Sequence, residues 1–202
     1  ISSYSTERTQ KMAELLREWK IPLLIHQPSY NLLNRWVDKT GLLDTLAENG
    51  TGCIAFTPLA QGLLTGKYLN GIPDGSRMQR EGKKVRGLTE KMLTEANLNS
   101  LRLLNEMAHA RGQSMAQMAL SWLLKDERVT SVLIGASRPE QLEANVQSLN
   151  NLSFTDDELK RIDQHVADGA LKLWQAPSAE YSSQRGYIVI FFFTKRFTTS
   201  LK

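Results

Sequence analysis

The chain has 202 residues, 41% of them hydrophobic and 23% charged, a balance that builds one ordinary domain with a core and excludes a disordered chain. Its net charge of +4 is mild, suits phosphate-bearing small molecules as well as nucleic acid, and singles out neither. A single cysteine, Cys53, excludes an intrachain disulfide and fits a reducing, cytoplasmic setting, while the longest apolar run, Ile188 to Phe193, falls far short of the ~20 residues of a spanning helix.

The opening "ISSYS" reads as the end of a strand. From Thr6 to Lys20, Met12, Leu15, Leu16 and Trp19 recur at helical spacing behind Ser5 or Thr6 as N-cap. "PLLIHQ" (Pro22 to Gln27) is a short apolar run, hence a buried strand, and Thr40 to Gly50 is a helix stopped by its glycine. "GCIAFT" (Gly52 to Thr57) is a second buried strand, broken by Pro58 and followed by a loop with Gly62, Gly66 and Lys67. Asn70 to Lys91 is a long excursion without periodicity. Two helices follow, separated at Gly112 and Gln113 with Ser114 capping the second; then comes the strand Val129 to Gly135. A helix with Pro139 in its first turn and an amphipathic helix over Thr155 to Asp168 complete the pattern.

Strands that alternate with helices and carry unalternating apolar runs predict a parallel sheet covered by helices. Polar residues gather where the strands end: Ser2 and Ser3, His26 and Gln27, Thr57, and Ser137 just after Gly135. Open α/β sheets and barrels bind ligands at that end. No Gly-x-Gly-x-x-Gly follows a strand and there is no Walker loop, so the dinucleotide fingerprint of a doubly wound sheet is absent; a barrel is the better geometry than an open sheet, a choice that periodicity alone does not decide. The three histidines are scattered and predict no metal site. Taken singly, Phe56 would be core packing and Arg138 a solvated charge. Glycines at Gly62 and Gly66 nevertheless let backbone amides approach a pyrophosphate, and a helix start at Ser137 and Arg138 favours an anion.

At "ISSYS", "LIHQPSYNLL", "AFTPLAQGLLTGKY" and "SVLIGASRPEQLEANV" the sequence resembles the aldo-keto reductases, in the branch of potassium-channel β subunits and bacterial glyceraldehyde 3-phosphate reductases. The resemblance covers Ile1 to about Ala176 and implies a (β/α)8 TIM barrel that binds NADP(H), of which this chain is the C-terminal half. It also implies roles for residues. Ser2, Ser3 and Gln27 would hold the nicotinamide carboxamide, with Ser3 standing where the family has Asn. Phe56 would stack on the nicotinamide ring. Thr57, Pro58, Leu59, Gln61, Gly62 and Lys67 would wrap the pyrophosphate, and Gly135, Ser137, Arg138, Gln141 and Asn145 the adenosine phosphate. Arg77 and Lys83 are weaker candidates for a cofactor lid.

The family's catalytic aspartate, tyrosine, lysine and histidine come from its first four strand–helix units, and the chain opens at the end of the fifth strand. No residue here is assigned a catalytic role, and the chain alone is expected to be an inactive fragment. The implied partner is a small carbonyl substrate such as glyceraldehyde 3-phosphate, with no nucleic acid or membrane and room for a homo-oligomer; the alternative is a non-catalytic NADP(H)-binding module like a channel β subunit. Residues 177–202 depart from the family ending and resemble a fused or frameshifted tail, in which "YIVIFFF" reads as an aggregation-prone strand.

Overall fold

The computed structural model describes residues 1–74, 76, 79, 92–167 and 191–194. Three parallel strands form the sheet: β1 (Ile25–His26), β2 (Gly52–Phe56) and β3 (Val129–Ile134). Helices α1 (Thr6–Glu18), α2 (Trp36–Lys39) and α3 (Leu42–Glu48) precede β2. Helices α4 (Glu95–Ala110) and α5 (Met115–Leu124) precede β3, and α6 (Pro139–Val146) and α7 (Asp156–Ala167) follow it. A fourth strand, β4 (Phe191–Thr194), pairs antiparallel with β3 from Ser131↔Thr194 to Ile134↔Phe191. The sheet order is therefore β1-β2-β3-β4.

The pleat sorts the side chains. Cys53, Ala55, Val129, Val132 and Ile134 are buried with Leu101, Leu104, Met118, Leu123 and Ile162 of the helices in one apolar core. Each Val, Leu, Ile or Met among them contributes on the order of 1.5–3 kcal/mol by leaving water. Phe56 pairs with Leu133, so the two share a face, and both are only half-buried. Ile25 on β1 is exposed.

Local chemistry sets the element ends. α5 begins with a capping box, Ser114 Oγ accepting from the Gln117 amide and Gln117 Oε1 from the Ser114 amide. Thr155 and Glu158 repeat the device ahead of α7. Between Cys53 and Ile54 the register with β3 shifts, and the Cys53 amide donates to Thr130 Oγ1 at 3.2 Å. A Cβ on Gly52 would lie 3.0 Å from that same hydroxyl oxygen, which explains the glycine that opens this strand.

The observed elements are shorter than the sequence predicts. The strand over Pro22 to Gln27 contracts to two residues because its neighbours are satisfied otherwise: Thr51 Oγ1 donates to the Leu23 carbonyl at 2.8 Å, and proline has no N–H. The helix after Ser137 ends at Val146 and passes into a 3-10 turn over Gln147–Asn150. A 3-10 segment over Ala60–Thr65 takes the place of a plain loop after Pro58. Arg77, Lys83 and the boundary at 176/177 lie outside the described residues, as does most of the predicted tail strand. Among the described residues no helix is long and apolar enough to cross a membrane.

Candidate functional site

The strand ends meet through the backbone. Residues 1–3 lie beside β1: the Gln27 amide donates to the Ile1 carbonyl at 2.9 Å, and the Ser3 amide and the Ser2 hydroxyl donate to the Gln27 carbonyl at 3.1 and 2.9 Å. Past β1 the chain continues alongside β2, with the Phe56 amide donating to the Pro28 carbonyl at 2.9 Å and a parallel bridge between Ser29 and Phe56. Ser2, Ser3, Gln27, Phe56 and Thr57 therefore sit at the carboxyl ends of adjacent parallel segments.

A polar knot that the sequence reading missed holds this end. Asn31, fully buried, donates from Nδ2 to the Thr57 carbonyl at 2.9 Å while its Oδ1 accepts from the amides of Leu33 and Asn34. Asn34 reaches Ser29 Oγ at 3.1 Å, Ser29 and Thr57 hydroxyls are 3.0 Å apart, and Trp36 Nε1 donates to the Ser29 carbonyl at 2.8 Å. Buried amides with this many partners rigidify what they tie. The signal in "SYNLLN" was two asparagines inside an apolar run, where a buried amide needs polar partners.

The loop after β2 is conformationally unusual. Among the described residues five non-glycine residues have positive φ, and four of them lie at this end of the sheet: Ser3 at 53°, Thr57 at 54°, Ala60 at 48° and Gln61 at 57°. Each such residue costs on the order of 1 kcal/mol or more and persists where surrounding structure enforces it, commonly at ligand sites. Gly62 follows at φ 101°, and a Cβ there would meet Lys67 Nζ at 2.8 Å. Lys67 is exposed and its ammonium lies 4.9 Å from the centroid of the buried Tyr68 ring, whose hydroxyl has no hydrogen-bond partner among the described residues. Pro58 is buried and Leu59 half-buried.

At the end of β3, Gly135 opens onto free space and Arg138, fully extended at φ −146°, is the N-cap of α6. Gln141 folds back so that its Oε1 accepts from the Ser137 amide at 2.9 Å and the Ser137 hydroxyl at 3.1 Å. Ser137, Arg138 and Gln141 are exposed, whereas Asn145 is buried one turn further on.

The titratable groups nearby are quiet. Burial pushes the Cys53 thiol up to about 12, which leaves it protonated and inert at neutral pH. Burial, helped by the Ile1 ammonium, brings His26 down to about 4, against an opposing hydrogen bond with the Tyr4 backbone. Tyr30 donates from its hydroxyl to Asp38 at 2.5 Å, a carboxylate neighbour that the sequence did not foreshadow. Burial first, and then Asp38, raises the Tyr30 phenol, the opposite of what an acid poised to protonate a carbonyl requires.

The structure is an α/β sheet with its unusual backbone collected at the strand ends, and the comparison with known proteins defines the class. Residues 1–167 match the model of the aldo/keto reductase family, and the chain belongs to that family. Among individual proteins, it is 84% identical over 178 residues to the L-glyceraldehyde 3-phosphate reductase of Escherichia coli O157:H7, covering 88% of this chain and 51% of that protein. The protein of the same name from strain K12 is 85% identical over the same shares. A protein of Schizosaccharomyces pombe named "Putative voltage-gated potassium channel subunit beta" is 35% identical over 68% of this chain and 40% of its own. The chain thus spans about half the length of the reductases it matches.

Proposed function

We propose that residues 1–176 are the C-terminal, cofactor-side half of a (β/α)8 aldo-keto reductase that uses NADP(H) to reduce glyceraldehyde 3-phosphate or a similar small carbonyl. The observation that carries the reading is the left-handed backbone at Ser3, Thr57, Ala60 and Gln61, next to a Gly62 that no side chain could replace without strain. The Ala60 and Gly62 amides donate to the Thr57 and Leu59 carbonyls at 2.9 and 2.8 Å, which fixes the shape of the loop, and Lys67 adds the charge that a pyrophosphate needs.

The residues present fit the cofactor. Phe56 offers a flat, half-buried π face on the side of the sheet that it shares with Leu133, suited to one side of a nicotinamide ring. Gln27, Ser2 and Ser3 are placed to hold its carboxamide. Thr57, Pro58, Leu59, Gln61, Gly62 and Lys67 wrap the pyrophosphate. Gly135 leaves room for the adenosine end, which Ser137, Arg138, Gln141 and Asn145 complete. When bound, NADPH supplies the hydride that reduces the carbonyl. Proton transfer to the carbonyl oxygen falls to family residues outside this chain, so this chain alone binds cofactor without turning over substrate.

The test is a titration of the chain with NADPH, read by the fluorescence of the reduced nicotinamide. Saturable binding is expected, weakened by about 1–2 kcal/mol in Phe56→Ala through lost stacking and a small cavity. Binding that ignores Phe56 would move the ring elsewhere. Consumption of NADPH with glyceraldehyde 3-phosphate by the repurified chain would contradict the division of labour.

A further inference from the structure

Thr57 is held in a conformation that its own side chain opposes. Of the five non-glycine residues with positive φ among the described residues, Thr57 alone is branched at Cβ, and a branched residue adopts φ 54° only when its surroundings compel it. Two sets of bonds compel it here. The Thr57 hydroxyl donates to the Phe56 carbonyl at 2.7 Å and lies 3.0 Å from Ser29 Oγ; with its one proton committed, it accepts from Ser29, which in turn accepts from Asn34 Nδ2 at 3.1 Å. The Thr57 carbonyl accepts from the Ala60 amide at 2.9 Å, closing the turn, and from Asn31 Nδ2 at 2.9 Å, so both of its lone pairs are used.

Asn31 is aimed before it reaches Thr57. Its Oδ1 accepts from the Leu33 and Asn34 amides at 2.9 and 3.0 Å, and Asn31 and Asn34 exchange amide-to-carbonyl bonds at 3.3 and 3.0 Å. The residue is fully buried, so this local turn already fixes its rotamer, and the bond to Thr57 costs little further side-chain entropy. The two ends of the amide thus do different work: Oδ1 shapes its own turn, and Nδ2 alone crosses 26 positions of sequence. From Thr57 the constraint passes along the loop, through the left-handed Ala60 and Gln61 and the Gly62 amide, which donates to the Leu59 carbonyl at 2.8 Å. We propose that Asn31 is the positioning residue of this loop: its Nδ2 holds Thr57 left-handed and so sets residues 57–62 in place for the pyrophosphate half of a dinucleotide. The hold on Thr57 follows from the hydrogen bonds alone, whereas its consequence for binding rests on the cofactor reading above.

Asn31→Asp and Asn31→Ser separate the two ends, since each keeps an oxygen to accept from the Leu33 and Asn34 amides and neither has the amide donor. Asn31→Ser buries no carboxylate and carries the test if Asn31→Asp does not fold, which circular dichroism reads. In the isotope-labelled full chain, Thr57 should show a strong intraresidue NOE between its amide and α protons, the mark of a left-handed φ, and the variants should lose it. The same proteins are titrated with NADPH and with adenosine 2′,5′-bisphosphate, which carries the adenosine phosphate but no pyrophosphate. The variants should bind NADPH about fivefold or more weakly and the bisphosphate with less than about twofold change. Retention of the Thr57 NOE would overturn the hold on Thr57. Equal losses for both ligands would make Asn31 a residue of the fold alone, and unchanged NADPH binding after loss of the NOE would take the loop out of the cofactor site; either overturns the proposal. Binding of neither ligand by the unaltered chain would overturn the cofactor reading instead, and the Thr57 NOE would still decide whether Asn31 holds the loop.

Discussion

Gly62 and Gly135 give a controlled pair at the residue scale. Gly62 sits at φ 101° and Gly135 at an ordinary φ with open space around it. The flexible tip of Lys67 could move away from a new methyl group at position 62, but the backbone angle could not relax as easily. Gly62→Ala should lower stability by about 1–3 kcal/mol and Gly135→Ala by less than about 0.5, read from urea midpoints. His26 makes the second prediction. Its folded-state value of about 4 lies below the ordinary imidazole value of 6.5, so the unfolded chain takes up the proton first. Stability is therefore complete above pH 6.5 and falls as the pH drops toward 4, by up to about 3 kcal/mol from this group. His26→Leu should remove the part of that slope above pH 5; an unchanged slope would show that His26 finds a partner on protonation. Phe56 and Thr57 were legible because an apolar run ending at Thr-Pro before a glycine loop is a local pattern. Asn31 was not, since its partner Thr57 lies 26 residues away and only the fold brings them together.

At the element scale the helices were readable and the strands less so. Ser114, Gln117, Thr155 and Glu158 announce their helices because a capping box is written within four residues. β1 could not be measured from its apolar run, because whether Leu23 joins a ladder depends on the distant Thr51 hydroxyl that occupies its carbonyl. The same limit hides the joint between α4 and α7. There the Arg111 guanidinium lies 3.7 Å from the Phe154 ring centroid and donates to Glu158 at 2.7 Å, to the Ser153 carbonyl at 2.8 Å and to Gln113 at 3.0 Å, with its side chain only 5% exposed. Arg111→Ala leaves Glu158 and a carbonyl without their donor and removes the ring contact, so a loss of about 2–4 kcal/mol is expected. Arg111→Lys should recover only part of it, because an ammonium cannot serve all of these acceptors from one plane. A loss under about 0.5 kcal/mol for Arg111→Ala would show that the two helices are held by Ile162 and its apolar neighbours alone.

For the whole molecule, the alternation of strands and helices was visible in the sequence, whereas the antiparallel seat of β4 on β3 was not, because a run of phenylalanines carries no information about which edge it will pair with. The left-handed backbone of Thr57, Ala60 and Gln61, the open Gly135 and the exposed Arg138 all lie at the carboxyl ends of β2 and β3. The central claim is that this end holds NADP(H), with the adenosine phosphate at the start of α6. Calorimetric titration of the chain and of Arg138→Ala with NADPH and with NADH tests it most directly. A guanidinium grips a phosphate through two N–H groups, and a charged hydrogen bond contributes ~1.5–3 kcal/mol. The account predicts that Arg138→Ala raises the NADPH dissociation constant by about tenfold or more and leaves NADH almost unchanged. Equal losses for both cofactors, or binding of neither by the folded chain, would contradict it.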